Sequence, residues 1–185
     1  FTVTVNDTEP PSITCPPDVT VSTDPGECYA TNVDLGTPVT DDNCGVASVT
    51  NDAPDQFPKG DTVVTWTVTD IHGNSSTCSQ TVTVEDDEDP TIVCPGDITV
   101  DNDEGECGAV VNYTVDYDDN CPGATIEQIA GLASGSQFPV GTTTNTFRVT
   151  DAAGNTAECS FTVTVNDTEP PSITCPPDVT VSTDP

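Results

Sequence analysis

The 25 letters FTVTVNDTEPPSITCPPDVTVSTDP occur twice, at 1–25 and at 161–185, so the chain carries an internal period of 160 residues. Inside that period lies a weaker one. VNDTEPPSITCPPDVTVSTDPGEC, ending at Cys28, aligns with VEDDEDPTIVCPGDITVDNDEGEC, ending at Cys107, at a shift of 79. A sequence repeated at fixed period is built from one structural unit repeated in space, so the chain must fold as an array. The expected division is 1–6 as the last strand of a preceding repeat, 7–86 and 87–167 as complete repeats, and 168–185 as the start of a following one.

A domain of about 80 residues buries only about 60–65% of its unfolded surface, so covalent staples are expected. Cysteines supply them: Cys15, Cys28, Cys44 and Cys78 in the first repeat, Cys94, Cys107, Cys121 and Cys159 in the second, and Cys175 as the copy of Cys15. Four cysteines per small unit fit a disulfide frame formed in an oxidising compartment. Zinc is disfavoured, because there is no Cys-x-x-Cys pair and His72 is the one histidine.

Strand patterns dominate. TVTV at 2–5, VTVS at 19–22, VVTWTVT at 63–69 and TVTV at 81–84 alternate polar and apolar β-branched residues, and the second repeat has matching segments. Turn sequences separate them, such as Asp24-Pro25-Gly26 and Asp70-Ile71-His72-Gly73-Asn74. Val64, Trp66 and Val68 share one strand face, as do Asn145, Phe147 and Val149, which makes Trp66 and Phe147 the expected core plugs. Short strands punctuated by turns, without helical periodicity, predict an all-β fold of sandwich domains.

Thirty-two acidic residues face Lys59 and Arg148, and 23 of the acids are Asp. Nucleic acid is excluded as a partner, since phosphate neutralisation needs clustered Lys and Arg. At a formal net charge of −30 the folded chain repels itself unless cations relieve the strain. No apolar run approaches the roughly 20 residues of a membrane helix, so membrane insertion of this segment is not expected.

The succession PPSITCPPDVTV, Gly-x-Cys, DDNCG and FPKGDTVVTWTVTDIHGNSSTCSQTVTVED resembles the hyalin repeat (HYR), an extracellular module related to the immunoglobulin-like fold. TIVCPGDITV, GEC, DDNC and FPVGTTTNTFRVTDAAGNTAECSFTVTVND carry it again. The resemblance implies tandem immunoglobulin-like β-sandwiches, stapled by disulfides, with an adhesion or matrix role and no catalytic activity. Four cysteines allow three pairings. The implied topology leans towards Cys15–Cys44 with Cys28–Cys78, and Cys94–Cys121 with Cys107–Cys159.

In such a topology the start of the domain, the loop between its second and third strands and the loop before its last strand gather at one pole. That pole carries Asp7, Glu9, Asp41, Asp42 and Asp70 in the first repeat, and Asp86, Asp87, Glu88, Asp89, Asp118, Asp119 and Asp151 in the second, with Asn43, Asn74, Asn120 and Asn155 among them. Short oxygen-bearing side chains on loops suit calcium, which takes six to eight oxygen ligands in tolerant geometry. The competing reading is that Asp-Asp-Asn and Asp-x-x-Gly-Asn are turn formers. Sequons at Asn6, Asn74, Asn112 and Asn166 are candidate glycosylation sites in a secretory pathway.

The expected function is an extracellular structural or adhesive repeat, a segment of a long fibre or stalk of head-to-tail domains with acidic, calcium-binding junctions. Its partners would be copies of itself, or other adhesion proteins or glycans. The alternative is a ligand- or glycan-binding adhesion module of a multidomain surface protein. Catalysis is not expected: His72 lies in a turn whose second copy has Ala153, so a repeated active site would be lost.

Overall fold

A computed structural model describes residues 1–183, with sixteen strands and, among those residues, no helix. The first repeat supplies β1 (Ser12–Thr14), β2 (Val19–Ser22), β3 (Tyr29–Thr31), β4 (Val39–Asp41), β5 (Val46–Asn51), β6 (Gln56–Pro58), β7 (Gly60–Asp70) and β8 (Ser75–Glu85). The second supplies β9 (Thr91–Val93), β10 (Ile98–Asp101), β11 (Gly108–Val110), β12 (Asp116–Asp118), β13 (Thr125–Ala130), β14 (Gln137–Pro139), β15 (Gly141–Thr150) and β16 (Thr156–Asn166).

Both repeats use one topology. A four-stranded sheet runs β2-β8-β7-β5 in the first and β10-β16-β15-β13 in the second. Short two-stranded ladders, β1-β4 with β3-β6 and β9-β12 with β11-β14, form the opposing layer of each immunoglobulin-like sandwich. The leading strand of each large sheet is parallel to the last: Val19 lies opposite Val82, and Ile98 opposite Val163.

Alternation along the long strands sets what is buried. In β8, Gln80, Val82 and Val84 point inward while the threonines between them are half-buried. Val82 and Val84 pack with Val64, Trp66, Phe57 and Ala30, and each fully buried side chain of this kind contributes about 1.5–3 kcal/mol. Trp66 Nε1 donates to Gln80 Oε1 at 3.0 Å, and Gln80 Nε2 donates to the carbonyls of Pro17 and Leu35. The second repeat replaces this polar pair with rings: Phe147 stacks on Phe161 at 6.5 Å, and Tyr113 meets both edge-on. Asn145, at an inward position, is completely buried, and its Oδ1 accepts from Leu132 N at 2.8 Å.

The two copies of the exact repeat differ in structure. FTVTV at 1–5 forms no strand and exposes Phe1, Val3 and Val5, whereas the same letters at 161–165 bury Phe161, Val163 and Val165 in β16. A strand needs neighbours for its backbone N–H and C=O groups, and the first copy has none within the chain.

The disulfide pairing differs from the one expected. Cys15 joins Cys78, Cys94 joins Cys159 and Cys28 joins Cys121, in place of Cys15–Cys44, Cys28–Cys78, Cys94–Cys121 and Cys107–Cys159. The parallel pairing of the first and last strands is the reason. Cys15 and Cys78 each stand four residues before the Val19–Val82 pair, and Cys94 and Cys159 stand four before Ile98 and Val163, so both bonds close at a Cα–Cα distance of 5.8 Å. Among the described residues Cys44, Cys107 and Cys175 are free and exposed.

Contacts sort the chain into two compact units whose limits do not follow the repeats. The first comprises Phe1–Ile92 together with Tyr117–Ile126 and Arg148–Ala157, so two loops of the second repeat belong to it; the second holds Val93–Asp116, Glu127–Phe147 and the residues from Glu158. Cys28–Cys121 therefore lies inside the first unit, although it links the two sequence repeats.

Candidate metal centre

Two triads of carboxylates form within the first unit. Oxygens of Asp7, Asp42 and Asp70 all lie within 4.8 Å of one another, and so do those of Asp86, Asp119 and Asp151. Each triad draws on the same three places: the opening residues of a repeat, its Asp-Asn-Cys loop, and its Asp-x-x-Gly-Asn turn.

The third member of each triad also builds its own turn. Asp151 Oδ1 accepts from the backbone of Ala153, Gly154 and Asn155 at 2.9, 2.6 and 2.7 Å, while Oδ2 accepts from Asn155 Nδ2 at 2.9 Å. Asp70 does the same with His72 N, Asn74 N and Asn74 Nδ2. Burial alone would push both carboxyls up, but these donors outweigh it and hold them below the usual carboxylate value. The turn reading and the ligand reading are thus compatible, since a carboxylate has about four lone-pair sites.

Asp42 and Asp119 are half-committed. Asp42 Oδ2 accepts from Cys44 N and Gly45 N at 2.8 Å, and Asp119 Oδ2 from Cys121 N at 3.1 Å. Their remaining oxygens, Asp42 Oδ1 and Asp119 Oδ1, are buried without a hydrogen-bond partner. Asn120 Oδ1 is in the same condition, because its Nδ2 is directed to Glu27 O at 3.0 Å, Asp86 Oδ1 at 3.2 Å and Thr23 Oγ1 at 3.4 Å. Unpaired buried oxygens are costly, by about 1–3 kcal/mol each, unless something electropositive faces them. Burial raises the Asp119 carboxyl above the usual value, and the charges of Asp86 and Asp151 add to that rise against the Cys121 N–H and Lys59.

The cationic surroundings differ. Lys59 Nζ lies 2.9 Å from Asp86 Oδ2, whose side chain is fully buried, so three carboxylates and one ammonium leave a formal −2 (−3 + 1). A divalent ion would neutralise that remainder. At the other triad His72 Nδ1 lies 3.2 Å from Asp7 Oδ2, itself a buried oxygen without a hydrogen bond.

The other expected ligands are placed elsewhere. Glu9 Oε2 accepts from Asn43 Nδ2, Asp87 Oδ2 from Ser22 Oγ, and Glu88 Oε2 from Gly26 N. Asp41 and Asp118 end strands β4 and β12 and are exposed, as is Asp89. Sequence reasoning missed Lys59, Thr23 and Glu27, and nothing in their own segments marks them. Of the sequons, Asn74 spends its amide on Asp70 Oδ2 and the Asp7 carbonyl, while Asn6, Asn112 and Asn166 are exposed.

The profile of the HYR domain matches residues 6–84 and 85–165. Hyalin from the sea urchin Lytechinus variegatus is 38% identical over 191 residues, covering 96% of this chain and 36% of that protein. Hyalin from Strongylocentrotus purpuratus is 39% identical, covering 96% of this chain and 16% of that one. The chain therefore spans a minor part of each of these relatives. Among solved structures, Drosophila N-cadherin EC1-4 aligns over 86% of this chain and 50% of its own at 13% identity, with a TM-score of 0.42.

Proposed function

Since the chain belongs to the HYR domain family, we propose that it is part of an extracellular, head-to-tail array of structural or adhesive repeats, 7–86 and 87–167 among them, whose junctions are held by calcium. The observation that carries this is the set of buried oxygens without hydrogen bonds, Asp119 Oδ1 and Asn120 Oδ1, beside Asp86 and Asp151. These groups belong to the second repeat, and Lys59, Glu27 and Thr23 of the first repeat reach them, which supports a site where one repeat passes into the next.

The donor set fits the ion. Carboxylate and amide oxygens suit a hard divalent cation, which would complete its six to eight ligands with carbonyls and water. Calcium would offset the burial and the neighbouring charges of Asp86 and Asp151 that raise the Asp119 carboxyl. Asp151 keeps its turn closed and orients one oxygen, Asn120 ties the Asp-Asp-Asn loop to Glu27, and Lys59 tempers the charge at Asp86. Copies of this chain, through further repeats, are the proposed partners, and the exposed Asn6, Asn112 and Asn166 are its proposed glycan acceptors.

Calorimetric titration of calcium into the chain tests the reading. Saturable binding is expected, weakened at least tenfold for one site by Asp119→Asn and for the other by Asp42→Asn. Binding untouched by both substitutions, or no binding at all, would overturn it.

A further inference from the structure

Among the described residues, one disulfide crosses from one sequence repeat to the next, between Cys28 and Cys121. The 79-residue shift carries Cys28 onto Cys107, and in the alignment of the repeats Cys44 is the counterpart of Cys121. We propose that Cys44 and Cys107 are the matching halves of further inter-repeat disulfides, so that neighbouring repeats are joined covalently at every junction: Cys107 bonds the Asp-Asn-Cys loop of the repeat that follows, and Cys44 the Gly-Glu-Cys turn of the repeat that precedes. The inference rests on the head-to-tail reading and is independent of calcium.

Two sets of contacts around the free thiols reproduce those around the formed bond. Next to Cys28, Gly26 N donates to Glu88 Oε2 at 2.9 Å; next to Cys107, Gly105 N donates to Glu169 Oε1 at 2.8 Å. Glu88 and Glu169 are the same position in successive repeats, so the turn carrying Cys107 already holds the opening residues of a third repeat as the turn carrying Cys28 holds those of the second. On the opposite side, Asp42 receives Cys44 N as Asp119 receives Cys121 N, which presents both cysteines from the same loop. The groove at Gly26 is lined by Glu88 and Asp89 together with Asp118, Asp119 and Asn120, and the groove at Cys107 by its own turn with Asp167, Glu169 and Pro170, so Glu88 and Glu169 take the same place in both.

Burial agrees with this assignment. Cys121 is 2% exposed and Cys28 half-buried, while Cys44 and Cys107 are exposed. Bond formation needs an oxidant such as a low-molecular-weight disulfide. A cysteine thiolate attacks it and releases one small thiol, and the second cysteine thiolate displaces the other, so two protein thiols are oxidised and one small disulfide is reduced to two thiols.

The test is alkylation followed by non-reducing peptide mapping, on the chain itself and on a chain with its 160-residue period written twice, both oxidised with glutathione disulfide. In the chain itself Cys28–Cys121 is expected to resist alkylation, while Cys44, Cys107 and Cys175 are labelled. In the doubled chain the first copy of Cys107 and the second copy of Cys44 are expected to lose their label and appear in one linked peptide. Cys107→Ser in the first copy should restore the label on the second Cys44 and leave calcium binding at the Asp86 site unchanged. Persistent labelling of both cysteines, or linkage of Cys44 to Cys28 of its own repeat, would overturn the proposal.

Discussion

The two acidic poles of the first unit share a design and differ in what covers them. Around Asp86, Asp119 and Asp151 the preceding repeat contributes Lys59, Glu27, Thr23 and the disulfide from Cys28, and the loop cysteine is buried. Around Asp7, Asp42 and Asp70 the same loop and turn form, yet the loop cysteine is exposed and His72 is the nearest base. The fold of one repeat is therefore enough to gather three carboxylates, each held by its own turn. Burying and cross-linking the loop cysteine takes a second repeat.

The largest expected effect separates the poles by their cysteines. Cys121→Ser should lower the unfolding free energy by about 2–5 kcal/mol in chemical denaturation, the typical loss for a native disulfide. Cys44→Ser should stay within about 0.5 kcal/mol, as for an exposed side chain without a disulfide partner whose contact with Asp7 a hydroxyl can keep. Equal losses at the two poles would contradict the contrast.

Next comes the cation. Lys59→Met removes the ammonium from Asp86 and should raise calcium affinity at that pole several-fold while leaving the Asp42-dependent site as it was, read by titration. Unchanged affinity would mean that Lys59 does not face the ion.

Acid acts on the two kinds of carboxyl in opposite directions. The Asp119 value is raised on folding, so without metal its contribution favours the fold below its unfolded value, and that contribution is lost as pH rises through the folded one. Protons compete with calcium for that carboxylate, so calcium affinity should fall as pH drops through the raised value. Asp70 and Asp151 are lowered, so they stabilise the fold above the unfolded carboxylate value and lose that contribution as pH falls through the folded one. Denaturation at graded pH should show this acid loss, reduced for one pole by Asp151→Asn and for the other by Asp70→Asn.

The smallest effect belongs to His72→Ala, expected within about 0.5 kcal/mol because the second repeat closes the same turn with Ala153.

How far the sequence could be read follows from the range of each interaction. The Val64–Trp66–Val68 and Phe147–Val149 faces were legible because alternation is local, and the gathering of Asp42 with Asp70, or of Asp119 with Asp151, followed from the implied topology of the repeat. The disulfides were not. Pairing Cys15 with Cys78 depends on the parallel register of β2 against β8, which no local pattern of either strand encodes. Cys28–Cys121 depends on how a neighbouring repeat docks, and so does the approach of Lys59 to Asp86. FTVTV makes the point most simply, forming a core strand at 161–165 and no strand at 1–5 from the same letters.

Thermal melting of the oxidised chain in excess calcium and in excess chelator tests the central claim most directly. With calcium at about 100 times its dissociation constant, a bound site adds about 2.7 kcal/mol, so the account predicts a melting temperature higher in calcium by about 5–10 °C. Asp119→Asn should remove most of that difference. Identical melting in the two conditions would contradict calcium-held junctions.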